Sequence, residues 1–416
     1  MTADLGSPGL GTGPLPVTVG DIEAARELLL PVVRRTPVEP NRALAERVGG
    51  PVFLKCENLQ RAGSFKIRGA YTRISRLSDE ERARGVVAAS AGNHAQGVAL
   101  AGQMLGTAVR VYMPSNAPLP KVQATRAYGA DVEFVHGGVD ECLVHARAWE
   151  DETGAVLIHP FDHRDIVAGQ GTVGLEILEQ CPDVATVLVC TGGGGLLAGV
   201  AAAVRARRPE ATVIGVQAEG AAAYPPSLSV GHPLALASMT TMADGIAVGR
   251  PGDVPFEMVQ ALVDGVVTVS EELISRALLF LLERAKLVVE PAGAAGVAAM
   301  LDREIAERLR PPVVAVLSGG NIDPLLMMRV IRHGMAAAGR YLQVRLRAPD
   351  RPGSLATLLG VLADAEANVL EVEHVRTGVR LSVDEVEIAL RLETRGPDHC
   401  RAVLAALRSA GFPLQV

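Results

Sequence analysis

Lysine is scarce in this chain of 416 residues. Only four of its 40 basic residues are lysines, namely Lys55, Lys66, Lys121 and Lys286. Arginine stays protonated, so it can neither form a Schiff base nor act as a neutral amine base. A lysine that is kept in so arginine-rich a sequence is therefore a candidate for chemistry.

Cysteine pairs and metal-binding spacings are also lacking. The five cysteines are odd in number and widely spaced, and no CxxC occurs among Cys56, Cys142, Cys181, Cys190 and Cys400. This usage argues against a disulfide-stapled scaffold and against a zinc site, and it favours a reduced, cytoplasmic protein. We predict no bound metal.

No strong charge of either sign is present. The 40 basic and 46 acidic residues leave a formal net charge of −6. A mildly acidic chain has no overall attraction to nucleic acid or to an anionic membrane, so we expect neither as a partner.

Targeting and membrane-spanning segments are not indicated. Residues 1–16 have no basic and apolar pattern of a signal peptide and are predicted to be a flexible leader. The stretch from Val184 to Val204 carries no charge and is long enough to span a bilayer. Because Gly192 to Gly195 interrupt it, we interpret it as a buried strand, a glycine loop and a helix.

Short β-branched runs alternate with amphipathic stretches from Val52 to about Ser318, which predicts an α/β fold with a doubly wound parallel sheet. The predicted strands are Val52–Leu54, Val86–Ala89, Val109–Met113, Val132–Val135, Val187–Cys190, Val213–Val216 and Val313–Leu317. The helical patterns include Phe65–Leu77, Ala95–Leu105, Lys121–Tyr128, Leu196–Arg207, Glu271–Ala285 and Ala292–Leu309. The stretch Tyr224–Pro255, rich in Pro, Gly and Ser, is predicted to be a long functional loop.

The tail has a different order of elements, β-α-β-β-α-β, which is typical of a ferredoxin-like domain. Its predicted elements are Tyr341–Arg347, Ser354–Ala365, Val369–Val375, Val383–Leu392, Asp398–Leu407 and Leu414–Val416. We place the break near Gly339. The expected domains are therefore residues 17–339, with a smaller subdomain around residues 52–160, and residues 340–416.

Four constellations of residues suggest chemistry. Lys66 follows a Gly-Ser turn at the start of a helical pattern, where a lysine is more readily neutral. The turn Ser90–His94 follows a strand and exposes backbone N–H groups that suit a carboxylate. Gly192 to Gly195 lie between a strand and a helix, which is typical of a phosphate cradle. Ser318 ends a strand and points to the ligand crevice.

The glycine loop has a second interpretation. Gly193, Gly195 and Ala198 match the dinucleotide fingerprint, and Glu219 stands where a ribose ligand would be expected. A nicotinamide enzyme would, however, leave Lys66 and Ser318 unexplained. All four constellations together suit pyridoxal 5′-phosphate (PLP), which needs a lysine anchor and partners for its ring hydroxyl, phosphate and ring nitrogen.

The motifs GSFKIRGA, SAGNHAQG, TGGGGL, MADGIAVGRPG and LSGGN resemble those of the threonine dehydratases, also called threonine ammonia-lyases. These are fold-type II PLP enzymes, related to serine racemase and serine dehydratase. The resemblance runs from Val17 to Gly339. It implies that Lys66 binds PLP as an internal aldimine, that Asn93 meets the ring hydroxyl and that Ser318 faces the ring nitrogen. The implied catalytic residues are Lys66 and Ser318. The implied cofactor residues are Phe65, Lys66, Asn93, Gly192, Gly193, Gly194, Gly195, Leu196 and Ser318, and the implied substrate-carboxylate residues are Ser90, Ala91, Gly92, Asn93 and His94.

The tail resembles an ACT domain, a small module that senses amino acids. The motif Asp350-Arg351-Pro352-Gly353-Ser354-Leu355 carries this resemblance. The implied effector residues are Asp350, Pro352, Gly353, Ser354, Leu355 and Asn368. A branched-chain amino acid, isoleucine or valine, is the expected effector. Because such modules sense ligands as pairs, we expect a homodimer or a homotetramer. A module that only holds subunits together is the alternative.

The implied reaction converts L-threonine to 2-oxobutanoate and ammonia, and L-serine to pyruvate. Serine racemase or serine dehydratase is the alternative. Racemases of this class have a serine at the position of Ala91, and they have more acidic residues than Glu219 alone in the segment after the strand Val213–Val216. A binding protein on an inactive enzyme fold is disfavoured because Lys66, Asn93 and Ser318 are all present.

Overall fold

The computed structural model describes residues 14–376 and 381–415, and the chain divides into two units between Asp323 and Pro324. Residues 1–13 of the predicted leader and Val416 of the last predicted strand lie outside the described residues. No helix among the described residues is long and apolar enough to cross a membrane.

The described residues of the first unit form two sheets. Its strands are β1 (Val38–Pro40), β2 (Val52–Lys55), β3 (Val86–Ala89), β4 (Val109–Pro114), β5 (Asp131–Val135), β6 (Val156–Leu157), β7 (Thr186–Cys190), β8 (Thr212–Ala218), β9 (Gly265–Val269) and β10 (Val313–Val316). The larger sheet has the order β1-β2-β10-β7-β8-β9 and the smaller one the order β5-β4-β3-β6. All neighbours pair in parallel except β1 with β2. This confirms the predicted parallel α/β architecture.

Helices surround these sheets. From residue 14 to residue 323 they are α1 (Val19–Leu29), α2 (Arg42–Val48), α3 (Lys66–Ser75), α4 (Asp79–Arg84), α5 (Asn93–Leu105), α6 (Leu119–Ala127), α7 (Val139–Thr153), α8 (Arg164–Gln180), α9 (Gly195–Arg207), α10 (Tyr224–Val230), α11 (Asp253–Leu262), α12 (Glu271–Phe280), α13 (Pro291–Leu301) and α14 (Arg303–Ala306). Short 3₁₀ turns occur at Glu57–Leu59, Arg61–Gly63, Glu219–Ala221 and Asp244–Ile246, and a π turn at Leu281–Ala285.

All seven predicted strands of this unit are present, and three more were not predicted. Strands β1 and β6 have only three and two residues, too few for a pattern to be recognised. Strand β9, Gly-Val-Val-Thr-Val, did carry the β-branched signal and was overlooked. The predicted loop Tyr224–Pro255 is partly wrong, because α10 lies within it. The two prolines of α10 fit the first turn of a helix, where no backbone N–H is needed.

Helix α8 sets the spacing of the elements around the site. It packs against both α3 and α9, and its backbone comes very close to each of them. A Cβ on Gly169 would lie 2.5 Å from the Arg68 carbonyl oxygen, and one on Gly199 would lie 2.4 Å from that of Val167. Glycine is therefore required at both crossings, and the starts of α3 and α9 are held at a defined separation.

Buried ion pairs hold α3 in place. Arg68, on α3, is fully buried and donates to Glu57 at 2.8 Å and to Glu176 at 2.7 Å. Lys55 donates to the same Glu176 at 2.5 Å. Because removing one partner would leave a buried charge uncompensated, this network strongly constrains the turn that precedes α3.

The described residues of the second unit form one antiparallel sheet. Its elements are α15 (Pro324–Ala337), β11 (Tyr341–Pro349), α16 (Ser354–Asp364), β12 (Asn368–Val375), β13 (Glu385–Glu393), α17 (Pro397–Ser409) and β14 (Leu414–Gln415). The sheet order is β12-β13-β11-β14, and α16 and α17 pack on each other. From β11 onward this is the predicted β-α-β-β-α-β order. Helix α15 ends just before the break that was predicted near Gly339.

Candidate active site

Lys66 is the first residue of α3, after Phe65. Its side chain is half-buried, and the Nζ atom donates to the Pro160 carbonyl oxygen at 2.9 Å. Burial lowers the pKa of the Lys66 amine to about 8, although Cys190 and Glu290 act in the opposite direction. A large share of this amine is therefore neutral in weakly alkaline solution, as a nucleophile or a base must be.

The turn that carries Lys66 is tied to the turn that carries Ser318. Ser64 and Gly319 form an antiparallel bridge, and the Phe65 amide donates to the Ser318 carbonyl oxygen at 3.1 Å. These bonds form because β2 and β10 are neighbours in the larger sheet. The Ser318 hydroxyl contacts the thiol of Cys190, whose pKa burial raises to about 11. Ser318, Cys190 and Lys66 are thus brought together.

Asn93 opens α5, directly after β3 and its turn. Its Nδ2 atom donates to Glu290 Oε1 at 2.5 Å, and its Oδ1 atom accepts from Asn321 Nδ2 at 2.8 Å. Helix α5 packs closely on α3, because a Cβ on Gly97 would lie 3.0 Å from the Lys66 carbonyl carbon. Asn93 and Lys66 therefore belong to one site.

The rest of the Asn93 turn contributes mainly backbone. Ser90 Oγ accepts from the Gly92 amide at 3.1 Å, which fixes the turn, and Ala91 offers no polar side chain. His94 Nε2 is 2.7 Å from the Ile158 carbonyl oxygen, and burial lowers the pKa of His94 to about 3. The imidazole is therefore neutral and already paired, so a ligand would meet the backbone N–H groups of this turn rather than the His94 ring.

The glycine loop precedes α9, and the side chains of Phe161 and Tyr224 pack tightly against it. A Cβ on Gly193 would lie 2.4 Å from the Phe161 ring, and one on Gly194 would lie 1.8 Å from Tyr224 Oη. The first helical backbone bond runs from the Ala198 amide to the Gly194 carbonyl oxygen, 2.8 Å. The amides before Ala198 have no acceptor within the helix, so they are available to an anion.

Several residues near the site were not predicted. Glu290 accepts from Asn93 but was overlooked, although it directly precedes a proline that starts α13. Asn321 stands in the LSGGN motif, in which only Ser318 was singled out. Lys121 is buried and forms an ion pair with Asp244 of the MADG segment. A Cβ on Gly92 would lie 3.2 Å from Lys121 Nζ, which places this ion pair beside the Asn93 turn.

The donor set fits PLP. It combines an amine of lowered pKa, a row of free amides at a helix N-terminus, a neutral hydroxyl and a carboxamide. Three buried side-chain atoms without a hydrogen-bond partner border this set: Ser64 Oγ, Gln170 Oε1 and Glu290 Oε2. Unpaired buried polar atoms are costly, and they are expected where a ligand completes the bonding. Among the described residues no group of three or more His, Cys, Asp or Glu could hold a metal ion.

The predicted effector residues are not all brought together within one chain. Asp350, Pro352 and Gly353 are exposed at the turn after β11, and Ser354 and Leu355 begin α16. Arg376, which was not predicted, forms an ion pair with Asp350 at 3.1 Å. Asn368 pairs in register with Glu393, which in turn pairs with Tyr341, the first residue of β11.

Asn368 and the Asp350 turn consequently lie at opposite ends of the sheet. Strand β11 has nine residues, and its length separates them by roughly 26 Å at the usual rise per residue. One copy of the second unit cannot bring both to the same small amino acid.

The sequence profile of the pyridoxal-phosphate dependent enzymes matches residues 29–319, and that of the ACT domain matches residues 342–412. The first match covers more than half of the chain. The chain therefore belongs to the pyridoxal-phosphate dependent enzyme family, and its C-terminal part is an ACT domain. Its cofactor is pyridoxal phosphate, so the dinucleotide interpretation of the glycine loop does not hold.

Relatives of nearly the same length indicate which members of this family the chain is similar to. The chain is 46% identical over 400 residues to the L-threonine ammonia-lyase of Thermotoga maritima, covering 96% of this chain and 99% of that protein. It is 44% identical over 402 residues to the L-threonine ammonia-lyase of Geobacter sulfurreducens, covering 97% and 99%.

Two solved structures each match more than three quarters of this chain. A threonine deaminase from tomato, Solanum lycopersicum, is 36% identical, with a TM-score of 0.72, and the match covers 79% of this chain and 98% of that chain. Maize serine racemase is also 36% identical with a TM-score of 0.72, covering 77% and 99%. The fold is thus shared by elimination and racemisation enzymes, and the site must distinguish them.

Proposed function

We propose that this protein is a threonine ammonia-lyase that converts L-threonine to 2-oxobutanoate and ammonia, and also converts L-serine to pyruvate. Lys66 carries the proposal, because its amine has a pKa of about 8 and lies on a turn tied to Ser318. The near-full-length similarity to two L-threonine ammonia-lyases supports this substrate class.

Each part of the site has a proposed role. When bound, PLP supplies an electron sink for the negative charge that develops at the substrate Cα. The neutral Lys66 amine takes the Cα proton, and the β-hydroxyl leaves with a proton as water. The released enamine then tautomerises, and water hydrolyses it to 2-oxobutanoate and ammonia. The amides of Gly192 to Leu196 hold the cofactor phosphate, with Phe65 beside the ring. The amides of Ser90–His94 hold the substrate carboxylate, next to the Lys121–Asp244 pair.

Ser318 favours elimination over other outcomes. A neutral hydroxyl facing the ring nitrogen does not hold that nitrogen protonated as a carboxylate would. The electron sink is then weaker, so prompt loss of the β-hydroxyl is favoured over a long-lived carbanion. Ser318→Asp should therefore raise transamination relative to elimination, and the ratio of the two products measures this directly.

Racemisation is the second candidate, because serine racemases share the fold. Ala91 argues against it, since a methyl group cannot deliver a proton to the opposite face of the substrate. The test is to incubate the enzyme with L-serine and to measure pyruvate together with D-serine by chiral chromatography. We expect pyruvate to dominate, and D-serine formed faster than pyruvate would favour the racemase.

We further propose that the ACT domain binds isoleucine or valine and thereby regulates the enzyme. The proposed site combines the Asp350–Leu355 turn of one chain with Asn368 of another, because one chain cannot supply both. This arrangement supports a homodimer or a homotetramer. Effector titrations of the full-length enzyme, combined with a measurement of its mass in solution, test this proposal.

We also propose a cytoplasmic location. All five cysteines are free, and Cys56, Cys142, Cys181 and Cys190 are buried as thiols. Such usage is typical of proteins kept in a reducing compartment. Fractionation of cells that produce the full-length protein tests this location.

A further inference from the structure

Glu290 is a buried carboxyl group that the proposed reaction does not use. It is 1% exposed and immediately precedes α13. Its Oε1 atom accepts from Asn93 Nδ2 at 2.5 Å, whereas Oε2 has no hydrogen-bond partner among the described residues. Burying a carboxyl group without an ion-pair partner is costly, so its presence calls for an explanation.

Glu290 is one end of a chain of hydrogen bonds. Asn321 Nδ2 donates to the Ala62 carbonyl oxygen at 2.8 Å and to Asn93 Oδ1 at 2.8 Å. Asn93 then donates to Glu290. The Ala62 carbonyl oxygen can only accept a hydrogen bond. Glu290 Oε1 likewise acts only as an acceptor, whether or not Oε2 carries a proton. The two ends therefore determine which way both carboxamides face.

The motif glycines make room for this chain. A Cβ on Gly63 would lie 2.2 Å from Asn321 Oδ1, and one on Gly319 would lie 2.3 Å from Glu290 Oε1. The same Cβ on Gly319 would also lie 3.0 Å from Asn93 Nδ2. The turns that hold Lys66 and Ser318 thus leave space for the chain Glu290–Asn93–Asn321.

We propose that Glu290 is a positioning residue that holds the Asn93 carboxamide with one Nδ2–H directed to the ring hydroxyl of pyridoxal phosphate. Without Glu290 only the Asn321 contact orients the Asn93 carboxamide, so its Nδ2–H is held less firmly toward the ring hydroxyl. The proposal rests on the ring-hydroxyl role that the family resemblance implies for Asn93, and it is independent of which amino acid is the substrate.

The electrostatic surroundings agree with a role in orientation rather than in an ion pair. Burial raises the pKa of Glu290 to about 7, and the charge of Asp244 acts in the same direction. Lys121, Lys66 and the hydrogen bond from Asn93 only partly oppose this increase. The carboxyl group is thus not held ionised by a neighbouring cation, yet Oε1 accepts from Asn93 in either protonation state.

The test measures cofactor binding rather than turnover. Cofactor-free protein is titrated with pyridoxal phosphate, and the dissociation constant and the visible absorption band are recorded for Glu290→Ala, Glu290→Gln, Asn93→Ala and the double variant Asn93→Ala/Glu290→Ala. We expect Glu290→Ala to weaken binding about tenfold, the size of one lost hydrogen bond, and to shift the band. Glu290→Gln keeps an acceptor oxygen and should stay within about twofold of wild type.

The double variant shows whether Glu290 affects cofactor binding only through Asn93. It should bind no more weakly than Asn93→Ala alone, because Glu290 acts only through Asn93. A further loss in the double variant, or a Glu290→Gln variant as weak as Glu290→Ala, would overturn the positioning role. If Asn93→Ala itself binds normally with an unshifted band, the proposed role of Asn93 fails instead.

Two additional variants guard against a purely structural effect. Asn321→Ala breaks the chain at its other end and should also weaken binding, which keeps the test decisive if Glu290→Ala does not fold. Glu271→Ala is the matched control, since Glu271 has one unpaired buried oxygen and another that accepts from the Met242 amide at 2.8 Å. It should lower the melting temperature without changing the absorption band. A band shifted equally by Glu271→Ala would contradict the proposal.

Discussion

The glycine loop of the first unit and the Asp350 turn of the second unit share one local design. In both, a glycine with a left-handed backbone precedes a helix: Gly194, with φ of 98°, caps α9, and Gly353, with φ of 91°, caps α16. Their surroundings differ. A Cβ on Gly194 would collide with Tyr224, whereas a Cβ on Gly353 would have nothing within 4 Å.

This difference indicates whether each turn can bind a ligand within a single chain. The first turn is enclosed by its own unit, so its amides are already arranged for an anion. The second turn is open, and its predicted partner Asn368 lies at the far end of the same sheet. The same sequence pattern is therefore enclosed in one unit and open in the other, which agrees with the proposed cofactor site in the first unit and with an effector site shared between two chains in the second.

Removing the Lys66 amine, which belongs to the enclosed site of the first unit, should have the largest effect on cofactor binding and activity. We expect Lys66→Ala and Lys66→Arg to lose the visible absorption band and about 10³-fold or more of the activity with L-threonine. Arginine does not help because guanidinium stays protonated. Lys286→Arg, an exposed lysine, is the control. Appreciable turnover by Lys66→Arg would show that another residue anchors the cofactor.

Paired alanine substitutions at the two glycines test the contrast itself. Gly194→Ala should lower the free energy of unfolding by about 2–4 kcal/mol, from backbone strain and overpacking, and should weaken cofactor binding. Gly353→Ala should cost only about 1–2 kcal/mol of backbone strain and leave cofactor binding unchanged. Adding Tyr224→Phe should partly rescue Gly194→Ala. Equal effects at both glycines would contradict the enclosed and open descriptions.

The pH dependence of stability should reveal the buried Glu290. Its pKa is raised from 4.5 to about 7, so the folded cofactor-free protein disfavours the ionised form. Its contribution is therefore lost as pH rises from 4.5 to 7, by at most about 3 kcal/mol. Relative to wild type, cofactor-free Glu290→Gln should become more stable across this window and stay so above it. Melting curves at pH 4.5, 6 and 8 measure this, and a constant difference would argue against a shifted carboxyl group.

The smallest expected effect concerns regulation. Isoleucine or valine should change the half-saturation for L-threonine by about fivefold in the full-length enzyme. Ending the chain at Gly339 should leave an active enzyme that no longer responds, because the residues of the proposed effector site are removed. Gly353→Asp should remove the response without loss of fold. An equal response with and without the tail would make the ACT domain architectural.

Much of the proposed site could be recognised in the sequence because its parts are local. A strand, a small-residue turn and a helix start are neighbours in sequence, so Lys66, Asn93, the four glycines and Ser318 could each be recognised. Glu290 and Asn321 were missed because their roles depend on contacts with Asn93, 197 and 228 residues away in sequence. The partly wrong loop at Tyr224–Pro255 has a local cause, since a segment rich in Pro, Gly and Ser favours a loop, whereas two of its prolines lie in the first turn of α10.

The sequence by itself determined the alternation of strands and helices, the chemistry of the lysine and the glycines, and the family to which they point, because these depend on near neighbours and residue type. Only the tertiary structure decided which turns meet, since the order of strands in the sheet places Lys66 against Ser318. It also decided that Glu290 is buried beside Asn93 and that Asn368 is far from Asp350. Burial and strand order are properties of the packed chain, and no short segment of sequence contains them.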